Sequence, residues 1–179
     1  MAGSDKLYHI PFVGLKVGKH QFEYKIEDSF FESMPHAPLE SVDMEVKLEL
    51  EKKETMLLAA FELKGNGLTT CDRCNGEMEL ELEGTLNLIY KFGLEESDDE
   101  NLIVLHPDEY QIDVREAIYE LILVSMPARK IHPEGDCDEE MWELIRKYTV
   151  NAEEEEEEID EDQDEEDGED PWSILKNLN

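Results

Sequence analysis

Apolar and polar residues alternate along most of the chain from Leu7 to Phe92, and the period lengthens after Asp113. Val42, Met44, Val46, Leu48 and Leu50 make the clearest two-residue period, with Asp43, Glu45, Lys47 and Glu49 between them, as in an antiparallel strand buried on one face. Met56 to Leu63 reads as its hairpin partner, ended by the stretch KGNG at Lys64 to Gly67, with Leu68 to Cys71 as a short further strand. Ahead of these, Leu7 and His9 to Val13, then His20, Phe22, Tyr24 and Ile26, predict two strands around a break at Gly14 to Lys19. DSFFESMPHAPL reads as a turn region with one helical turn at Phe30 to Met34. Met78, Leu80 and Leu82, followed by Leu86, Leu88, Tyr90 and Phe92, predict one long strand or two, with a bulge or bend at Gly84. Ile103 to Leu105 is a further short strand.

Helical spacing begins at DVREAIYELILVSM, where Val114, Ala117, Ile118, Leu121 and Ile122 share one face. Asp113 is placed to cap this helix, with Glu116 three residues on completing a capping box, and Pro127 stops it. A shorter helix is expected from Asp138 to Tyr148, with Met141, Trp142, Leu144 and Ile145 as its apolar stripe. The expected fold is α+β and mostly β. About six to eight strands form a curled antiparallel or barrel-like sheet, with one main helix packed against it.

Composition changes this picture at the C-terminal end. Of the 18 residues Glu153 to Asp170, 15 are acidic, a run that cannot collapse against its own repulsion. The expected organisation is a single β-rich domain over 1–150, a disordered acidic tail over 151–170 and a short segment at 171–179. Removing the tail's charge from the net −32 leaves −17 on the other 161 residues, so the folded part is acidic as well. Its 16 Lys and Arg are scattered, which makes nucleic acid a poor direct partner for most of the surface and a basic protein a better one. Met1 to Leu15 lacks a basic region followed by an apolar stretch, and no apolar run is long enough to span a bilayer, so a cytoplasmic protein with no membrane partner is expected.

Three cysteines in that setting are free or hold metal. Cys71 and Cys74 lie between two strand-like segments with no helix following, which speaks against a thioredoxin-type redox pair. His132 and Cys137, just beyond the main helix, would complete a Cys3His set, a common tetrahedral combination for structural zinc. The alternative is a tight turn with small half-buried thiols and a loop histidine. No phosphate loop, nucleophile elbow or paired-carboxylate pattern stands out, and a non-enzyme without small-molecule substrate is expected.

The ordered set CDRCNGEMELELEG, LIYKF, IDVREAIYELILVSMPARKIHPEGDC and EDPWSILKNL resembles the YceD family of large ribosomal RNA subunit accumulation proteins, and the opening YHIPFVGLKVGKHQFEYKIEDSFF resembles its Bacteroidetes-type version. The resemblance implies a cytoplasmic, non-enzymatic factor in ribosome biogenesis that supports large-subunit ribosomal RNA. Many members of that family carry a second cysteine pair after the proline. Here His132 stands at its first position, and Trp172 directly follows Pro171 where relatives usually have a basic residue.

Asp170 and Pro171 suit a helix start, and Trp172, Leu175 and Leu178 recur on one face of a segment too short to be stable alone. That segment is expected to dock, either on its own sheet or on a ribosomal protein or large-subunit precursor, with the acidic run facing basic ribosomal proteins. The rival expectation is a small RNA contact built from Arg129, Lys130, His132, Arg146 and Lys147 beside Trp142 and Tyr148, on a zinc-stabilised platform where Arg73 also lies.

Overall fold

The computed structural model describes residues 5–34, 36–94, 97–133 and 135–148. They fall in two compact units, Met1–His132 and Pro133–Asn179. The tail at 151–170 and the segment carrying Trp172, Leu175 and Leu178 lie outside the described residues.

The first unit is built on a five-stranded sheet. Its strands are β2 (Gly18–Glu27), β3 (Ser41–Lys52), β4 (Met56–Thr70), β5 (Glu77–Phe92) and β6 (Leu102–Leu105), in that spatial order. The short β1 (His9–Ile10) pairs separately with β7 (Ile112–Asp113), which leads into the helix α1 (Arg115–Ser125). Strands β2 to β5 form an antiparallel meander, whereas β6 lies parallel to β5.

The two-residue period does what it predicts. Val42, Met44, Val46, Leu48 and Leu50 are buried on one face with Leu57, Ala59, Phe61 and Leu63 of the neighbouring strand, and Asp43, Glu45 and Lys47 face outward. On α1, Ala117, Ile118, Leu121 and Ile122 are buried, and the helix packs across β5 and β4. An aromatic group closes the core beside it: Tyr8 stacks on Tyr24 with ring centres 5.5 Å apart and meets Phe30 edge-on at 5.4 Å. The ammonium of Lys52 donates to the carbonyls of Phe12 at 2.7 Å and Leu15 at 2.8 Å, fastening the N-terminal loop to the end of β3.

Several expectations are corrected. The sheet is open and not a barrel, since β2 and β6 are its edges and the four-residue β6 runs parallel where an antiparallel strand was expected. KGNG does not end a strand: β4 runs through it in unbroken register with β3 and β5. Gly65 is there for closeness, because a Cβ would strike the Asp43 carbonyl oxygen and the Met44 Cα. At Gly84 β5 has neither bulge nor change of register. A Cβ there would collide with Ser125, so the glycine lets the end of α1 lie directly on the strand. The stretch His9 to Val13 is only partly strand, giving way to a 3-10 turn at Phe12–Gly14, and another such turn at Asp28–Ser33 overlaps the helical turn expected at Phe30 to Met34 but starts earlier and ends one residue sooner. Asp113 does accept from the α1 terminus, but at Arg115 N–H, 2.9 Å away, with Val114 in the cap position.

In the second unit residues 139–148 form a helix, α2. Asp138 caps it, its Oδ1 accepting from Met141 N–H at 2.9 Å. Met141, Trp142 and Leu144 of the expected stripe are exposed.

Two measurements follow from this core. Gly65→Ala forces β3 and β4 apart and is expected to lower stability by about 1–3 kcal/mol in urea unfolding. Gly14→Ala, where a Cβ meets nothing within 4 Å, is expected to stay within about 0.5 kcal/mol. Burial, reinforced by Tyr8 and Asp113, pushes the Tyr24 phenol from 10.0 to about 12. The unfolded chain therefore releases this proton first, and the Tyr24 share of stability is present below pH 10 and lost as pH rises through about 12. Melting temperatures across that window are expected to fall less steeply for Tyr24→Phe than for the parent protein.

Candidate metal centre

The turn between β4 and β5 is set by its own backbone. Cys71 N–H donates to the Gly76 carbonyl at 2.8 Å and Asn75 N–H donates to the Cys71 carbonyl at 2.9 Å. Asn75 adopts φ 56°, a left-handed conformation that asparagine tolerates better than most residues. The Arg73 N–H points at Cys71 Sγ, 3.4 Å away. Both Cys71 and Cys74 are buried, and neither forms a disulfide.

The chain leaving α1 is clipped to this turn. Asp72 N–H donates to the Lys130 carbonyl at 2.6 Å, and Lys130 N–H returns to the Asp72 carboxylate at 2.7 Å. The Lys130 ammonium lies 3.9 Å from the same carboxylate. Two residues on, His132 N–H approaches Cys71 Sγ at 3.5 Å, and His132 Nδ1 lies 3.3 Å from Cys74 Sγ. His132 Nε2 is 3.0 Å from the Glu77 carbonyl. A carbonyl can only accept, so the proton sits on Nε2 and, in the neutral ring, Nδ1 turns its lone pair toward the thiols.

The electrostatics follow from these contacts. Burial alone would raise the Cys71 thiol, but the backbone N–H groups of Cys74, His132 and Arg73 outweigh it and bring it from 9.0 down to about 6. The Glu77 carbonyl, followed by the Cys74 sulfur, raises His132 above its ordinary value. The lowered Cys71 is thus favoured as thiolate, the form that binds metal, whereas the raised His132 holds a proton more readily and must release it from Nδ1 before that nitrogen can bind metal.

Within the first unit three of the residues singled out by spacing are brought together: one ligand atom each of Cys71, Cys74 and His132 lies within 4.8 Å of the others, while Cys137 belongs to the second unit. A tetrahedral zinc site with arms of about 2.3 Å has ligand separations of about 3.8 Å, so the group is near that size. Soft sulfur with one imidazole suits zinc, and the Nε2–H bond to Glu77 is the kind of second contact that fixes a histidine ligand's tautomer and orientation. A strand and not a helix follows Cys74, as the spacing implied. Sequence reasoning did not single out Asn75, the Asp72–Lys130 clip or the Glu77 carbonyl. The Asn75-Gly76 pair carried a signal for the turn, since that dipeptide is a strong hairpin mark; a main-chain carbonyl leaves none.

The chain is therefore a mostly β protein with a thiol–imidazole cluster at the tip of its longest hairpin. The family model described as large ribosomal RNA subunit accumulation protein YceD matches residues 59–179, and the chain belongs to this family. The match begins within β4 and takes in Cys71, Cys74, His132 and Cys137. No curated protein matches the chain, and no solved structure does. No helix among the described residues is long and apolar enough to cross a membrane.

Proposed function

We propose that the protein is a non-enzymatic, cytoplasmic ribosome-biogenesis factor that supports large-subunit ribosomal RNA through contacts with proteins of the maturing large subunit. Family membership carries the first part of this reading. Charge supports the second. Strand alternation puts Glu77, Glu79, Glu81 and Glu83 on the outer face of β5, next to Glu62 on β4 and near Asp43 and Glu45 on β3. Such a face repels phosphate and attracts lysine- and arginine-rich protein segments. In this reading Trp172, Leu175 and Leu178 anchor the terminal segment on the partner, and the acidic run before it favours basic partners over nucleic acid.

The cluster's part is structural. Cys71, Cys74, His132 and Cys137 hold a zinc ion that fixes the β4–β5 turn to the chain beyond α1. The donor set and the orientation of His132 support this.

Elemental analysis of protein purified without chelator is expected to find one zinc per chain, absent from the Cys71→Ser, Cys74→Ser variant; a metal-free parent protein would remove zinc from this reading. In pull-downs from cells of the source organism, deleting residues 171–179 is expected to reduce recovery of large-subunit proteins several-fold. Undiminished recovery would show that Trp172, Leu175 and Leu178 are not the anchor.

A further inference from the structure

We infer that the free edge of β6 is a docking site for an extended, basic segment of a partner protein, which adds to the sheet as a further strand. Strand β6 ends the sheet, with β5 as its neighbour on one side. The carbonyls of Asn101 and Leu105 accept from the N–H groups of Ile89 at 2.8 Å and Gly93 at 3.0 Å, on the β5 side. Alternate residues of a strand point the same way, so Val104 turns its N–H and C=O away from β5, as does the Leu102 carbonyl. Among the described residues nothing bonds the Val104 main chain on that outer side. The opposite edge is guarded: β2 carries Lys19, Glu23, Lys25 and Glu27, all exposed, the charged pattern of an edge kept from pairing. The LIVL of β6 carries no charge at all.

Register builds an apolar surface beside this edge. Ile89 pairs with Leu58 on one side and Leu102 on the other, and Lys91 with Met56 and Val104. Leu58, Ile89, Leu102 and Val104 therefore lie together on the outer sheet face, each half-buried. A groove runs past Leu102 and Val104 to Gly93 and to Leu94, which is 78% exposed. Two features select the occupant. An open N–H and C=O pair on a strand edge is matched by another polypeptide main chain, with pockets beside it for alternate side chains. The loop leading into β6 presents Asp98, Asp99 and Glu100, all exposed, with Lys91 as the cation lining the groove, so the added segment carries lysine or arginine between its apolar residues. A second copy of this chain fits poorly, because it brings the same carboxylates. With four residues β6 offers few main-chain bonds, which suits a reversible contact whose apolar neighbours supply much of the affinity. The inference refines the protein contacts proposed above and rests on that reading for the choice of a large-subunit partner.

The test is fluorescence anisotropy of a labelled peptide that alternates valine with lysine and arginine, on the full chain. The peptide is expected to bind, and the same peptide N-methylated along its backbone to bind about tenfold more weakly, because its main-chain bonds to the edge are lost. Val104→Pro removes the outward N–H and keeps the bonds to β5, and is expected to weaken the unmodified peptide by about the same factor. An Asp98→Asn, Glu100→Gln variant is expected to bind it several-fold more weakly at low salt and equally at high salt. Equal binding of the two peptides, or no binding, overturns the inference. So does loss of binding in a Glu79→Gln, Glu81→Gln variant with none in the Asp98→Asn, Glu100→Gln variant, which would give the peptide to the acidic face of β5. A parent that takes up no peptide but sediments as a dimer, and as a monomer with Val104→Pro, overturns it in favour of a second copy. Edge-dependent binding of the peptide by a chain that recovers no large-subunit proteins in pull-downs would sink the ribosomal reading and leave this one standing.

Discussion

Everything in the first unit depends on one register. Strand β4 pairs with β5 from Met56↔Lys91 to Thr70↔Glu77 without a slip, and with β3 from Ser41↔Leu68 to Lys52↔Leu57. Because side chains alternate at every residue, a shift of one position would turn Leu57, Phe61 and Leu63 to water and bring the β5 glutamates into the core. The cost of burying those carboxylates unpaired far exceeds what any turn could supply. The register is therefore fixed by the body of the hairpin, and its tip is placed as a result. Cys71 and Cys74 face the chain leaving α1 because Leu57 faces the core.

The strand periods, the main helix and the nearness of Cys71, Cys74 and His132 were legible in the sequence because each rests on a repeat or a spacing of side chains. What escaped rests on backbone proximity. Glycine in KGNG reads equally as a break or as a close approach, and only the nearness of Asp43 and Met44 decides for the second. The same ambiguity hid the seat of α1 on Gly84. Strand β6, with four residues, carries too short a pattern to announce a parallel partner, and the expectation of closure failed with it. Within the cluster, residue types pointed to soft-metal chemistry, but the choice of His132 Nδ1 as the inward atom comes from the Glu77 main-chain oxygen, which any residue at that position would offer.

Charge divides the molecule in a way that composition alone conceals. A net −32 reads as uniform acidity, yet the outer sheet face interleaves lysines with a larger number of carboxylates, several of them paired. Interleaving of this kind leaves a net negative field over the face while tethering its lysines, so a partner must bring its own positive charge.

The parts of the cluster are also separated in time. The β3 to β5 part of the meander joins neighbours through short connections, so its pairings form among residues close in sequence. His132 reaches Cys74 across 58 positions, after β6, β7 and α1 have been laid down. A nascent chain with its hairpin complete still presents only two sulfurs, and the imidazole joins them when α1 has settled on Gly84. Tight metal capture would then mark a finished fold, and a chain released early from the ribosome would remain without it.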